Sequence, residues 1–131
     1  HESLLADKKR YQELISEYTG TIPKLVDQLQ SNPTSDTYDQ VEELLGILEG
    51  TLGFMDQLDQ AGKVKLMLSP DEQEEMSQVH KELKVGLDEL SSAFEEDDVI
   101  MICDILEYEV QPYLEKIEDF FQEINLAPSR D

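Results

Sequence analysis

The sequence predicts an all-α protein, an antiparallel up-down-up-down four-helix bundle, and three observations carry that prediction. Apolar residues recur at helical spacing in each of four segments. The breaks between segments hold proline, glycine and capping residues rather than strand or long-loop signals. The connections are short, and short connections force successive helices to run antiparallel. A chain of 131 residues is the length of one domain, so residues 1–131 are read as a single helical bundle with helices at about 3–31, 37–61, 70–95 and 98–125.

The first helix places Ile15, Ile22 and Leu29 at one seam position and Leu4, Tyr11, Tyr18 and Leu25 at the other, with Lys8 interrupting the seam. Gly20 and Pro23 fall in its middle, where proline removes a backbone donor and crowds the preceding turn, so one bent helix is expected. The run Ser31 to Asp36, SNPTSD, then supplies a proline stop and a cap.

The second helix carries Val41, Leu48 and Met55 with Leu44 and Leu58, flanked by Leu45 and Leu52. Its solvent side holds Gly46, Gly50 and Gly53, each costing up to about 1 kcal/mol relative to alanine. That pattern reads either as a locally soft helix or as a smooth groove which another backbone approaches closely. After Gly62, the segment GKVKLMLS is too apolar for an exposed loop. Val64, Leu66, Met67 and Leu68 are expected to plug the bundle against Leu4, Leu5, Phe121 and Leu126.

Ser69-Pro70-Asp71-Glu72 combines a capping serine, proline at the first helical position and a glutamate three residues after the cap, the most specific local signal in the chain. The third helix puts Met76, Leu83 and Leu90 on its seam with Val79 and Ala93, and Leu87 and Phe94 beside them. Glu95-Glu96-Asp97-Asp98 leaves room only for a tight turn, and its charges favour the start of the fourth helix. That helix has Cys103, Val110, Ile117 and Ile124 at one heptad position and Val99, Leu106, Tyr113 and Phe120 at the other, an unbroken apolar seam. Pro112 is expected to bend it on its outer side, and Pro128 marks its end.

Thirty-one Asp and Glu against 10 Lys and Arg give a net charge of −21, which repels nucleic acid and anionic membrane surfaces alike. Disorder is the rival explanation of such acidity, but 39% apolar content in helical period argues for a folded domain. The lone Cys103 cannot form an internal disulfide and is expected to be a small buried hydrophobe in a cytoplasmic setting. No apolar run approaches the ~20 residues of a membrane span, and no basic, apolar leader precedes the first helix. His1 is expected to be a remnant of a purification tag and is set aside.

The sequence offers no catalytic constellation, and no cofactor or metal is expected. Di-iron bundles need paired Glu-x-x-His motifs, and neither His1 nor His80 has a glutamate three residues before it. Asp56 to Gly62 does not align carboxylates as a calcium loop requires. A serine or cysteine nucleophile lacks a nearby base, and the glycines are not followed by the Lys-Ser or Lys-Thr of a phosphate loop. The expected function is therefore a non-enzymatic interaction module, an adaptor, chaperone or regulator that presents helical surfaces to another protein or a second copy. The alternative is a small-molecule or metal-binding bundle, or an enzyme, that uses buried carboxylates.

The stretch DILEYEVQPYLEKI, with the acidic turn before it, resembles the last helix of small acidic helical proteins of Gram-positive bacteria. The resemblance covers about a fifth of the chain and implies a bacterial helical bundle, with no activity attached.

A candidate partner surface follows from the outer face of the fourth helix. Positions opposite its seam read Met101, Ile105, Tyr108 and Pro112, with Ile102 at a flank, where the first helix has Arg10, Glu13, Glu17, Lys24 and Asp27. This second apolar stripe, together with Gly46, Gly50 and Gly53, is the expected docking surface. A chain end, or the loop from Ser31 to Asp36, folded over the stripe is the competing expectation.

Overall fold

The computed structural model describes residues 2–124, with side chains from Leu4 onward. It is all-helical, with no strand among the described residues. α1 spans Glu2–Ser31, α2 Ser35–Gln60, α3 Lys63–Met67, α4 Pro70–Glu95, α5 Val99–Ile105 and α6 Gln111–Glu123, and a π-helical turn, Leu106–Val110, joins the last two.

The helix ends follow local chemistry. Thr34 caps α2 by a reciprocal box with Thr37, so the helix starts at Ser35, two residues earlier than expected: Thr37 N–H donates to Thr34 Oγ1 as well as to the Thr34 carbonyl, and Thr34 N–H donates to Thr37 Oγ1. Ser69 and Glu72 form the second box: Glu72 N–H donates to Ser69 Oγ at 3.2 Å, and Ser69 N–H donates to Glu72 Oε1 at 2.9 Å. The acidic turn closes α4 with Asp97 in the left-handed region at φ 55°. There Asp98 N–H reaches the Ala93 carbonyl at 2.9 Å and Asp97 N–H the Phe94 carbonyl at 3.2 Å, the paired bonds of a Schellman stop. Asp98 then caps α5, accepting from Met101 N–H at 3.2 Å.

α1 packs against α2 on one side and against α5 and α6 on the other, and α4 likewise contacts α2 and the α5–α6 segment. The core is continuous. Ile15, Ile22, Leu25 and Leu29 of α1 meet Val41, Leu44, Leu48 and Leu58 of α2, Met76, Val79, Leu83 and Leu90 of α4, and the inward side of the last helices. An aromatic chain ties α1, α2 and α6: Tyr11 stacks on Phe54 at 5.4 Å, and Phe121 meets Phe54 edge-on at 5.5 Å. Cys103 is buried and free, and burial pushes its thiol up from its ordinary range.

Three expectations change. The segment after Gly62 forms the short α3, in which Val64 is buried and Leu66 is 75% exposed, with Leu68 buried at its C-cap, and Leu126 lies outside the described residues, as do Pro128 and His1. Five residues make little more than one helical turn, so only one side of α3 can face inward.

The helix expected at 98–125 is interrupted. In the π turn the Gln111 N–H bonds the Leu106 carbonyl five residues back, which inserts one residue into the helical count. The buried series therefore runs Leu106, Val110, Leu114, Ile117, Phe121 and Ile124; of the expected seam Phe120 is buried as well, at 5% exposure, whereas Tyr113 is only half-buried.

The outer stripe, finally, is not all outer. Ile102 and Ile105 are 0% and 1% exposed. α5 sits between α1 and α4, so it buries a wider arc than the two-position seam of a heptad.

Candidate functional site

The expected docking residues scatter. Met101 and Tyr108 are 46% and 71% exposed, Pro112 is half-buried, and Ile102 and Ile105 belong to the core. On α2, Gly46 and Gly53 face open space, with no atom within 4 Å of where a Cβ would stand. Gly50 is different: a Cβ there would lie 2.6 Å from Tyr11 Oη and 3.0 Å from Tyr11 Cε1. The close approach that the glycines suggested exists at Gly50 alone, and the approaching group is an aromatic ring of the same chain. Gly50 thus leaves the candidate surface.

What remains open is a groove between α2 and α4. One stripe of α2, Leu45, Glu49, Leu52 and Asp56, faces one stripe of α4, His80, Lys84, Leu87 and Ser91, and Gly53 and Asp88 also line the hollow, which encloses about 590 Å³. Both stripes step by four, three and four residues, the spacing that keeps side chains on one helical face. Leu45 and Leu87 are only partly buried against the core, so apolar surface reaches solvent along the groove.

At one end, His80 Nε2 lies 3.0 Å from Asp56 Oδ1. The approach falls off the direction of a ring N–H, so it is a contact rather than a hydrogen bond. Past this pair the groove continues into a hollow of about 310 Å³ bounded by Met55, Asp59, Val64, Gln73, Met76 and Ser77. These groups do not form a metal centre: among the described residues no three His, Cys, Asp or Glu side chains are placed to hold an ion. The buried polar side chains of the described core are Thr37 and Thr51. No carboxylate is among them.

A second polar cluster joins α1 to the start of α6. Pro23 has no N–H to give the Thr19 carbonyl four residues back, and Gln111 Nε2 donates to that carbonyl instead, at 2.8 Å. Thr19 Oγ1 also donates to Glu118 Oε1 at 2.9 Å. In the π turn, burial raises the Glu109 carboxyl above its ordinary range and the charge of Glu89 raises it further. The Glu82 carboxylate beside Tyr113 pushes that phenol up to about 12.

Sequence reasoning named Leu45, Leu52 and Leu87 only as flanks of their seams and weighed His80 only as a metal ligand that lacks the Glu-x-x-His spacing. The signal available was the matching four-three-four spacing on two helices. Which stripe faces which is not written in either helix.

The fold and this surface define an acidic all-helical domain with a solvent-open groove between two of its helices. The chain belongs to the family described as a domain of unknown function, DUF8042, whose model matches residues 8–120. No curated protein and no solved structure matches it. No helix of the described residues is long and apolar enough to cross a membrane.

Proposed function

We propose that the chain is a non-enzymatic interaction module built as an up-down-up-down four-helix bundle, with α1, α2, α4 and the α5–α6 segment as its helices and α3 as a plug in the second connection. The packing of α1 and α4 each against both α2 and the last helices supports that topology. The observation that carries the function is the α2–α4 groove, where Leu45 and Leu87 bring apolar surface to solvent. The partner is another protein or a second copy, with nucleic acid and membrane disfavoured by the net charge of −21. The single buried thiol suits the reducing cytoplasm. The rival reading, a ligand-binding bundle or enzyme that uses buried carboxylates, finds no carboxylate among the buried side chains of the described residues.

The test pairs affinity capture from native lysate with a thermal-shift screen against divalent metals and nucleotides. The expected outcome is a retained protein partner and no ligand shift. A metal or nucleotide that stabilises the fold by ~2.7 kcal/mol at a hundred times its dissociation constant, with no protein retained, would overturn the reading.

A further inference from the structure

The geometry points to one class of occupant for the α2–α4 groove: a cationic amphipathic helix of a different protein. This inference rests on the interaction-module reading and adds the site and the chemistry of the partner. From Leu45 to Asp56 the groove runs for about 16 Å, three helical turns, and it carries a leucine at three points, Leu45, Leu52 and Leu87. Gly53 lacks the side chain that would fill it, and nothing lies within 4 Å of its missing Cβ. An apolar stripe at helical spacing is what such a floor accepts.

Charge then selects the partner. Glu49, Asp56 and Asp88 face the groove against the single Lys84, and Asp59 adds another carboxylate where the groove continues beyond His80. A second copy would have to bring another −21 against the −21 already present, so long-range repulsion opposes self-association where it favours a lysine- or arginine-rich helix. Two other hollows each lack one half of this pattern. The one between α1 and α6 is lined by Lys9, Gln12, Glu13, Glu17, Glu118 and neighbouring polar groups, with no apolar side chain. The one beside Met101 offers only that residue and Ala93 among four carboxylates.

The probe is a synthetic leucine–lysine amphipathic helix of about 14 residues, labelled and titrated by fluorescence anisotropy at about 0.15 M salt, where unspecific surface attraction is screened beyond ~8 Å. Three variants accompany the wild type. Gly53→Gln fills the groove without changing charge, Asp56→Asn with Asp88→Asn neutralises its rim, and Glu13→Gln with Glu17→Gln removes the same charge from the polar hollow on α1. The expected result is binding by the wild type, a loss of about tenfold or more for the first two variants, and a change under about threefold for the third. Gly53→Gln should melt no lower than wild type, since glycine is the poorer helix former, so its loss of binding cannot be misfolding.

Equal weakening by both charge pairs, with Gly53→Gln binding like wild type, would reduce the attraction to diffuse charge and overturn the groove. So would wild type that fails to bind the peptide. Repeating the lysate capture with Gly53→Gln separates the two readings. A protein partner retained equally by both forms sinks the groove and leaves the interaction module standing, whereas no partner retained by either form sinks both.

Discussion

Beyond Pro70, which opens α4, two prolines sit within helical segments of this molecule, and the chain answers them differently. Pro23 is exposed in the middle of α1, and the helix continues through it from Glu2 to Ser31. Its cost, the orphaned Thr19 carbonyl, is met from outside by the Gln111 side chain. Pro112 is half-buried near the start of α6, and there the helix itself changes: the π turn just before it widens the backbone against which the pyrrolidine ring would press. A missing donor can thus be absorbed by a neighbouring helix or by a shift of register. The two solutions meet, because the residue that serves Pro23 is the neighbour of Pro112.

The largest test of the contrast is the register shift. Leu114→Ala should cost about 2–5 kcal/mol in urea denaturation, since Leu114 is 0% exposed and leaves a cavity behind. On an uninterrupted heptad Tyr113 would hold that place, and a Leu114→Ala cost below ~0.5 kcal/mol would remove the π turn from the account.

The bridge to Pro23 comes next. Gln111→Ala should cost about 1–3 kcal/mol by leaving the Thr19 carbonyl without a donor. In a Pro23→Ala background the restored amide takes that carbonyl, and the same Gln111→Ala change should cost almost nothing. Additive effects in this cycle would mean that the two prolines are independent.

Smaller effects separate a glycine that is needed from those that are not. Gly46→Ala and Gly53→Ala should each stabilise by up to about 1 kcal/mol, whereas Gly50→Ala should gain less or destabilise because its methyl meets the stacked Tyr11 ring. Equal gains at all three would show that Tyr11 moves freely.

The mildest is pH. Glu109 in the π turn and Glu123 near the end of α6 are raised above 4.5, Glu109 by burial and then Glu89, Glu123 by its hydrogen bond with Glu72. A raised carboxyl favours the fold below its unfolded value and loses that contribution as pH climbs through its folded value. Glu72 is lowered from 4.5, first by the same bond with Glu123 and then by its Ser69 bonds, so its contribution is lost as pH falls below that value. The melting temperature should therefore rise gently as pH drops from 7 toward 4.5 and fall beyond it. A melting temperature that fell steadily from pH 7 downward would contradict these assignments.

Much of the helical frame is legible because its signals are local. The Ser69 box, the Thr34 cap and the spacing of Val41, Leu44 and Leu48 each depend on residues within a turn or two of one another. The candidate surface was harder to read for the opposite reason. Ile102 and Ile105 resemble an outer stripe when counted along one helix, and only the placement of α5 between α1 and α4 shows that both sides of it are covered. Gly50 and Tyr11 are far apart in sequence, and Gly50 looks like Gly46 and Gly53 until the ring is in place. The leucines of the α2–α4 groove were visible as individual flanks, while the groove exists only between helices.

The π turn also gives the last helix a spare residue. Along the inward positions 99, 102, 106, 110, 114, 117, 121 and 124 one step departs from three-four alternation: 106 to 110 spans four residues where three would alternate. Excising either Glu107 or Tyr108, both solvent-facing, would renumber everything downstream by one and restore strict alternation without turning Leu114, Ile117 or Phe121 away from the interior. Anywhere else along this helix the same excision would rotate one end by about 100° against the other. The length of the chain is therefore adjustable at the turn beside Pro112 and rigidly set on both sides of it.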